Sequence, residues 1–272
     1  MSTLYLVISA GGHPGDLDYA TLHGVGVLVV PATTASVRRT RKPDSKVPVM
    51  LDSGAFSVFS GKRNITKETV LASYKSYPYS EGAALDVIGD PEASMQNYLW
   101  SVEQGSDQWP TFHYGEDWSF LEEYRRTAWK IGLGGIARLQ YKGAGKERDR
   151  WLRECFRRAW PHRFHLFGVI SETLLMKMPF HSADSSGWQL SVAAHRSHYR
   201  PDGTKADRNL SKGRAEEKEA RRARLASVRH RVAAIGVMQS RLSLVWKNAF
   251  AEADAVAPAR PVPSWREGLH GQ

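Results

Sequence analysis

Three aspartates in this chain stand beside small and polar residues at the ends of short apolar runs. Asp52 opens Asp52-Ser53-Gly54-Ala55-Phe56, Asp86 closes on the end of AALDVI, and Asp184 opens Asp184-Ser185-Ser186-Gly187-Trp188. Between them come His113-Tyr114-Gly115-Glu116 and Gly132-Leu133-Gly134-Gly135-Ile136. Two carboxyl groups that meet in one cavity can share out a double displacement. One attacks a carbon and forms a covalent intermediate, while the other handles the proton. A glycine-rich segment brings backbone N–H and C=O groups close to a ligand, and an aromatic ring offers a planar face. Taken singly, each motif is an ordinary cap or turn, because Asp, Ser and Gly favour such positions. Their recurrence at equivalent places in successive units is what points to chemistry.

Those places are set by a series of β-rich runs: Leu4–Ser9, Val25–Pro31, Val47–Leu51, Ala83–Ile88, Trp109–His113, Lys130–Leu133, Phe164–Gly168 and Ser182–Asp184. They are nearly continuous in apolar residues, as strands buried on both faces are. Helix-like stretches lie between them. Thr66–Tyr77 starts on a capping threonine, and Pro91–Gln104 has Pro at the first helical position after Asp90. Trp118–Thr127, Glu147–Trp160 and the shorter Ser171–Met178 carry apolar residues at helical spacing. Eight strands alternating with helices predict an α/β protein, a (β/α)8 TIM barrel with a basic C-terminal helical extension. The same rhythm also fits an open doubly wound sheet. In a barrel, residues at the C-terminal ends of the strands share one mouth, so the three aspartates would converge there.

The division expected is a barrel core over 1–190, a basic loop and helical extension over 191–254 that packs on the barrel, and a disordered tail over 255–272. Residues 195–213 are polar and punctuated by Gly and Pro, and 215–231 carry clustered arginines. Val232–Phe250 has an apolar helical pattern, and the Pro-rich stretch from Ala257 reads as disordered. With 38 basic and 28 acidic residues the net charge is +10, a balance that suits a nucleic-acid partner. Cys155 is the one cysteine, which excludes an intramolecular disulfide and a multi-cysteine zinc site. His181, His195 and His198 lack thiol or carboxylate partners at ligand spacing and read as surface or phosphate-facing residues. The opening residues have neither a basic n-region nor an apolar run of spanning length, so a soluble protein of the cytoplasm is expected, without a membrane partner.

The run LDSGAFSVFSGK resembles the DSGGFQ or DSGGYQ segment of the tRNA-guanine transglycosylases. KIGLGGIA is similar to their Gly-Gly-Leu base-binding loop, and FHLFGVI followed by HSADSSGW is similar to their seventh strand and nucleophile segment. The resemblance runs from Val47 to Trp188 in the family's order, and that family folds as a (β/α)8 barrel.

The resemblance implies roles for matching residues. Asp184 falls at the aspartate that attacks C1′ of the nucleoside, and Asp52 at the aspartate that handles protons for the leaving and entering bases. Phe56 falls at the aromatic that stacks on the base and Asp86 at the aspartate that reads the purine edge. Gly134, Gly135 and Ile136 match the loop whose backbone bonds the base. Tyr114-Gly115 stands where many members have Gln-Gly. Ser53, Gly54, His113, Ser185 and Trp188 complete the expected substrate pocket. No metal and no cofactor is called for by this chemistry. Replacing one base by another at C1′ with retained configuration needs a nucleophilic carboxylate and a proton-handling partner. The target base must also leave the stack to reach the pocket.

The tRNA enzymes carry a zinc site of three cysteines and a histidine after the nucleophile, which this chain lacks. Trp188 soon after Asp184, and the short chain, look more like the compact zinc-less enzymes of phages and bacteria that insert 7-deazaguanine bases into DNA. The expectation is exchange of guanine in DNA for a preQ0- or preQ1-type base, with Arg196, Arg221, Arg222 and Arg224 on the phosphates. Exchange in tRNA, or hydrolysis by a DNA glycosylase or nucleosidase using the same aspartates, are the alternatives. Oligomeric state is left open.

Overall fold

Valine, isoleucine, leucine and aromatic residues dominate the short runs because each strand is covered on both faces. In the computed structural model they pair as eight parallel strands: β1 Thr3–Val7, β2 Gly26–Val29, β3 Val49–Leu51, β4 Glu81–Gly82, β5 Thr111–His113, β6 Ile131–Gly134, β7 Phe164–Leu166 and β8 Ser182–Ser185. The structure describes residues 3–7, 24–31, 47–61, 64–136, 139, 144–185 and 232–266.

The strand order is β4-β3-β2-β1-β8-β7-β6-β5. The first strand therefore lies between the second and the last, with Tyr5 opposite Gly26 on one side and Asp184 on the other. One parallel bridge, Ala83 to Trp109, joins the two ends of the curled sheet. There Ala84 N–H donates to the Trp109 carbonyl at 2.9 Å and Trp109 N–H to the Gly82 carbonyl at 3.1 Å. The fold is an all-parallel (β/α)8-type barrel, and the β4–β5 seam is its thinnest joint.

Helices α1 Ala55–Phe59 and α2 Lys67–Lys75 follow β3, α3 Pro91–Glu103 follows β4, and α4 Trp118–Thr127 follows β5. Then α5 Gly145–Ala159 follows β6 and α6 Glu172–Leu175 follows β7. Thr66 caps α2 by accepting from Thr69 N, and Asp90 caps α3 by accepting from Ala93 N with Pro91 at the first turn. Residues 232–245 are also helical, and α7 Lys247–Val256 comes after them. Their Val232, Ile235, Leu242 and Phe250 enter the same apolar cluster as Leu4, Ala183, Leu174 and Phe180, so this C-terminal segment packs on the barrel. Gln239 adds an anchor, accepting from Leu4 N at 2.7 Å. No helix among the described residues is long and apolar enough to cross a membrane.

Two sequence expectations need correction. The run Ala83–Ile88 is not a strand beyond Ala83, since β4 ends at Gly82. Ala84 and Leu85 are buried because they connect strand to helix inside the cores, and Val87 N bonds Ser94 Oγ at 2.8 Å as the chain turns into α3. The tail expected to be disordered is ordered through residue 266. Arg260 donates to Asp107 at 2.7 Å, and Arg266 donates to the Tyr79 carbonyl at 2.6 Å and to Asp107 at 3.2 Å. The Asp107 side chain is wholly buried, and both guanidiniums also lie over aromatic rings, Arg260 on Trp129 and Arg266 on Tyr74 and Trp265. Long-range ion pairs and cation–π contacts thus hold a segment whose composition alone suggests disorder.

Inside the ring, Tyr5, Leu28, Met50, Ala83 and Trp109 pack with Trp129 and Phe167. A buried ion pair sits with them. Lys130 Nζ donates to Glu81 Oε2 at 2.5 Å, and Tyr5 Oη donates to Glu81 Oε1 at 2.6 Å. Burial alone would raise the Glu81 pKa, but the Lys130 ammonium outweighs it and holds the carboxyl below its usual range.

Candidate active site

Side chains alternate along a strand, so residues two apart look the same way. On β8 this parity sends Ser182 and Asp184 inward together, and on the β7 side it does the same for His165 and Phe167. Asp184 is buried, and its Oδ1 accepts the Gly168 N–H at 2.9 Å and lies 3.2 Å from His165 Nε2. Among the described residues Oδ2 has no hydrogen-bond partner. Burial pushes the carboxyl up to about 7, with the Gly168 N–H pulling the other way.

Asp52 follows the last residue of β3, where its N–H donates to the Val29 carbonyl at 2.8 Å. It keeps partial exposure at the mouth. Burial of the carboxyl and then the charges of Asp86 and Asp184 push it up to about 7, against the N–H groups of Gly54 and Ser53. The charge of Asp184 is thus among those that act on Asp52. Repulsion from Asp86 and Asp184 adds to burial at Asp52, whereas no neighbouring carboxylate adds to burial at Asp184, where the Gly168 N–H favours ionisation. The arrangement can run with Asp184 as carboxylate and Asp52 as acid, the division a covalent double displacement needs.

Asp86 is engaged at both oxygens. Ser53 Oγ donates to Oδ1 at 2.7 Å, and His113 Nε2 lies 2.9 Å from Oδ2. The other ring nitrogen of His113 is 2.8 Å from Glu116 Oε1, while His113 N donates to Glu116 Oε2 at 2.8 Å. Burial opposes a charge on this imidazole, but the two carboxylates prevail and push its pKa up to about 10. His113 is therefore a fixed imidazolium at neutral pH. The turn that folds Glu116 back onto His113 passes through Gly115, whose φ of 93° suits glycine. Gly134 has a different duty. A Cβ there would stand 2.8 Å from His113 Cδ2, so its bare backbone makes room for the ring.

The remaining expected residues divide. Gly135 is exposed at the end of β6, and Ile136 anchors that turn with a buried side chain. Ser185 ends β8 in register with Leu6. Phe56 stands on α1 four residues past Asp52 and is 68% exposed, as a free stacking face would be. Tyr114 does not join the site. It follows inward-facing His113, so parity turns it outward, where its ring meets Trp151 edge-on and its hydroxyl donates to Glu147. Asp86 is tied to Ser53 and His113, which makes it a support of the site. Trp188, Arg196, Arg221, Arg222 and Arg224, with His195 and His198, lie outside the described residues. His181 is not on the surface. It is buried beside Phe250 just before β8, at the opposite end of the strand from Asp184, and burial lowers its pKa to about 3. Among the described residues no three His, Cys, Asp or Glu groups converge to hold a metal ion.

No known family model matches the chain, and no curated protein matches it either. The case for a function therefore stands on the residues.

The sequence reading gives His165 and Ser182 no place in the site, and it names Glu116 only as part of a motif, without a partner. The signal for His165 is one polar residue at an inward position of an apolar run, FHLFG. For Glu116 it is an acid three residues after a histidine across a glycine turn.

Proposed function

We propose that this protein exchanges guanine in DNA for a 7-deazaguanine base of the preQ0 or preQ1 type, by double displacement through a covalent Asp184–deoxyribose intermediate. What supports the reading is the pair of aspartates at the ends of β3 and β8, where burial raises both carboxyls. An Asp184 carboxylate oxygen attacks C1′ as the bond from C1′ to the base nitrogen breaks. The bonding pair goes to that nitrogen, which takes the Asp52 proton. Asp52, now a carboxylate, accepts the ring N–H proton of the entering base. That nitrogen then displaces Asp184 from C1′, restoring the starting protonation and the original configuration. The low-dielectric mouth strengthens the interaction of the Asp184 carboxylate with the positive charge that builds on the sugar.

Phe56 supplies an exposed ring for a base taken out of the stack, and Gly135 is exposed directly after β6. The excess of 38 basic over 28 acidic residues suits a polyanionic substrate, and the zinc-binding cysteines of the tRNA enzymes have no counterpart here. The test is incubation with labelled guanine and either duplex DNA or tRNA, followed by trapping of the adduct. Label in DNA and an adduct at Asp184 are expected. Label in tRNA alone overturns the choice of DNA, and release of free base without incorporation overturns exchange in favour of hydrolysis.

A further inference from the structure

We propose that His165 is a positioning residue for Asp184: a neutral imidazole, with its tautomer set by Ser182, that donates Nε2–H to Oδ1 and leaves Oδ2 as the attacking oxygen. This rests on the reading of Asp184 as nucleophile.

The geometry is a short relay within one layer of the barrel. His165 is fully buried, with Nδ1 2.7 Å from Ser182 Oγ and Nε2 3.2 Å from Asp184 Oδ1. Ser182 and Asp184 are two apart on β8, so one strand presents both ends of the relay to one ring. A neutral imidazole has one donor and one acceptor. Facing a carboxylate, Nε2 must carry the hydrogen, and Nδ1 then accepts from the Ser182 hydroxyl. The ring cannot rotate freely, since Phe167 meets it edge-on at 4.5 Å and Trp109 and Tyr5 pack at 5.2 and 6.2 Å. With Gly168 N on the same oxygen, two donors fix the Asp184 carboxyl by Oδ1.

The ionisable groups facing this ring are Asp184 from β8, Lys130 from just before β6, Glu81 from β4 and Tyr5 from β1. Burial and the Lys130 ammonium oppose a charge on His165, and Glu81, which favours one, is already paired with Lys130. The distinction matters for chemistry. An imidazolium would neutralise the nucleophile in a tight ion pair, whereas a neutral donor orients it and leaves its charge for the sugar.

The wild-type protein tests this directly. With 15N-labelled histidine, the ring nitrogens of His165 should report Nε2–H and a bare Nδ1 from pH 8 to pH 9, where Asp184 is ionised. An Nδ1–H tautomer or an imidazolium in that range overturns the proposal, and this measurement needs no variant to fold. The second measurement follows the Asp184 carboxyl by 13C NMR in wild type, His165→Leu and His165→Gln. Losing the donor should raise its midpoint by about one pH unit in His165→Leu. His165→Gln, whose amide N–H can reach the same oxygen, should restore most of it, and the acid limb of kcat/KM should move in parallel. An unchanged Asp184 midpoint in folded His165→Leu sinks the proposal even if wild type exchanges bases. If wild type exchanges no base while the midpoint still moves, the relay stands and the transglycosylase reading falls.

Discussion

Replacing Asp184 by Asn should make the protein more stable at pH 8 and progressively less advantaged as the pH falls. The folded carboxyl titrates at about 7 because burial disfavours its ionised form, against 3.8 for the ordinary group. Between those values the folded state holds a proton that the unfolded chain has released. The raised pKa therefore contributes stability in full below about 3.8, and that contribution is lost as pH rises through 7. At about 1.4 kcal/mol per pH unit, the ionised aspartate costs about 4 kcal/mol above pH 8. Roughly two of the three units fall between pH 5 and pH 8, so about 2–3 kcal/mol of the difference develops across that range. The substituted asparagine keeps an oxygen for Gly168 N and His165 Nε2 and carries no charge to desolvate. Urea unfolding of wild type and Asp184→Asn at pH 5 and pH 8 gives the comparison. The gap between the two proteins should widen by about 2–3 kcal/mol in favour of the variant at the higher pH. A gap that stays constant refutes the reasoning, because it means Asp184 is already ionised in the folded protein at pH 5.

Asp52→Asn should cut base exchange by about 10²–10⁴-fold, the usual worth of a positioned acid, while leaving a covalent adduct detectable with a substrate whose leaving group needs no proton. Gly134→Ala should destabilise the fold by about 1–3 kcal/mol and reduce exchange, because its methyl would displace His113; thermal unfolding and the exchange assay report the two effects. Asp107→Ala should cost on the order of 3 kcal/mol in urea unfolding, since it strips the buried carboxylate that receives Arg260 and Arg266.

Much of the barrel is legible in the sequence because a parallel strand covered on both faces must be apolar along its length. VGVLVVP and VPVML could hardly be anything else, and Thr66 and Asp90 announce α2 and α3 through side chains that cap locally. Asp52 and Asp184 are visible for a related reason, since a polar residue at the end of such a run has to meet the mouth. What escapes is whatever depends on parity or on distant partners. AALDVI has strand composition, yet its burial serves a connection between cores. Tyr114 and His113 are adjacent in sequence and face opposite ways. His165 is hidden inside an apolar run and acquires meaning only when Asp184, 19 residues on, pairs beside it. Arg260 and Arg266 give no periodic signal, because their order comes from Asp107, more than 150 residues earlier.

That last contact bears on how the molecule is made. The ring closes at the β4–β5 seam through the single Ala83–Trp109 bridge, and Arg266 spans from Tyr79 before β4 to Asp107 before β5. All eight strands precede Arg260 and Arg266 in the chain. During synthesis the barrel can assemble strand by strand, but its weakest joint is stapled only once Arg260 and Arg266 emerge. A nascent chain stalled short of this segment would hold a complete set of strands in an unlatched ring.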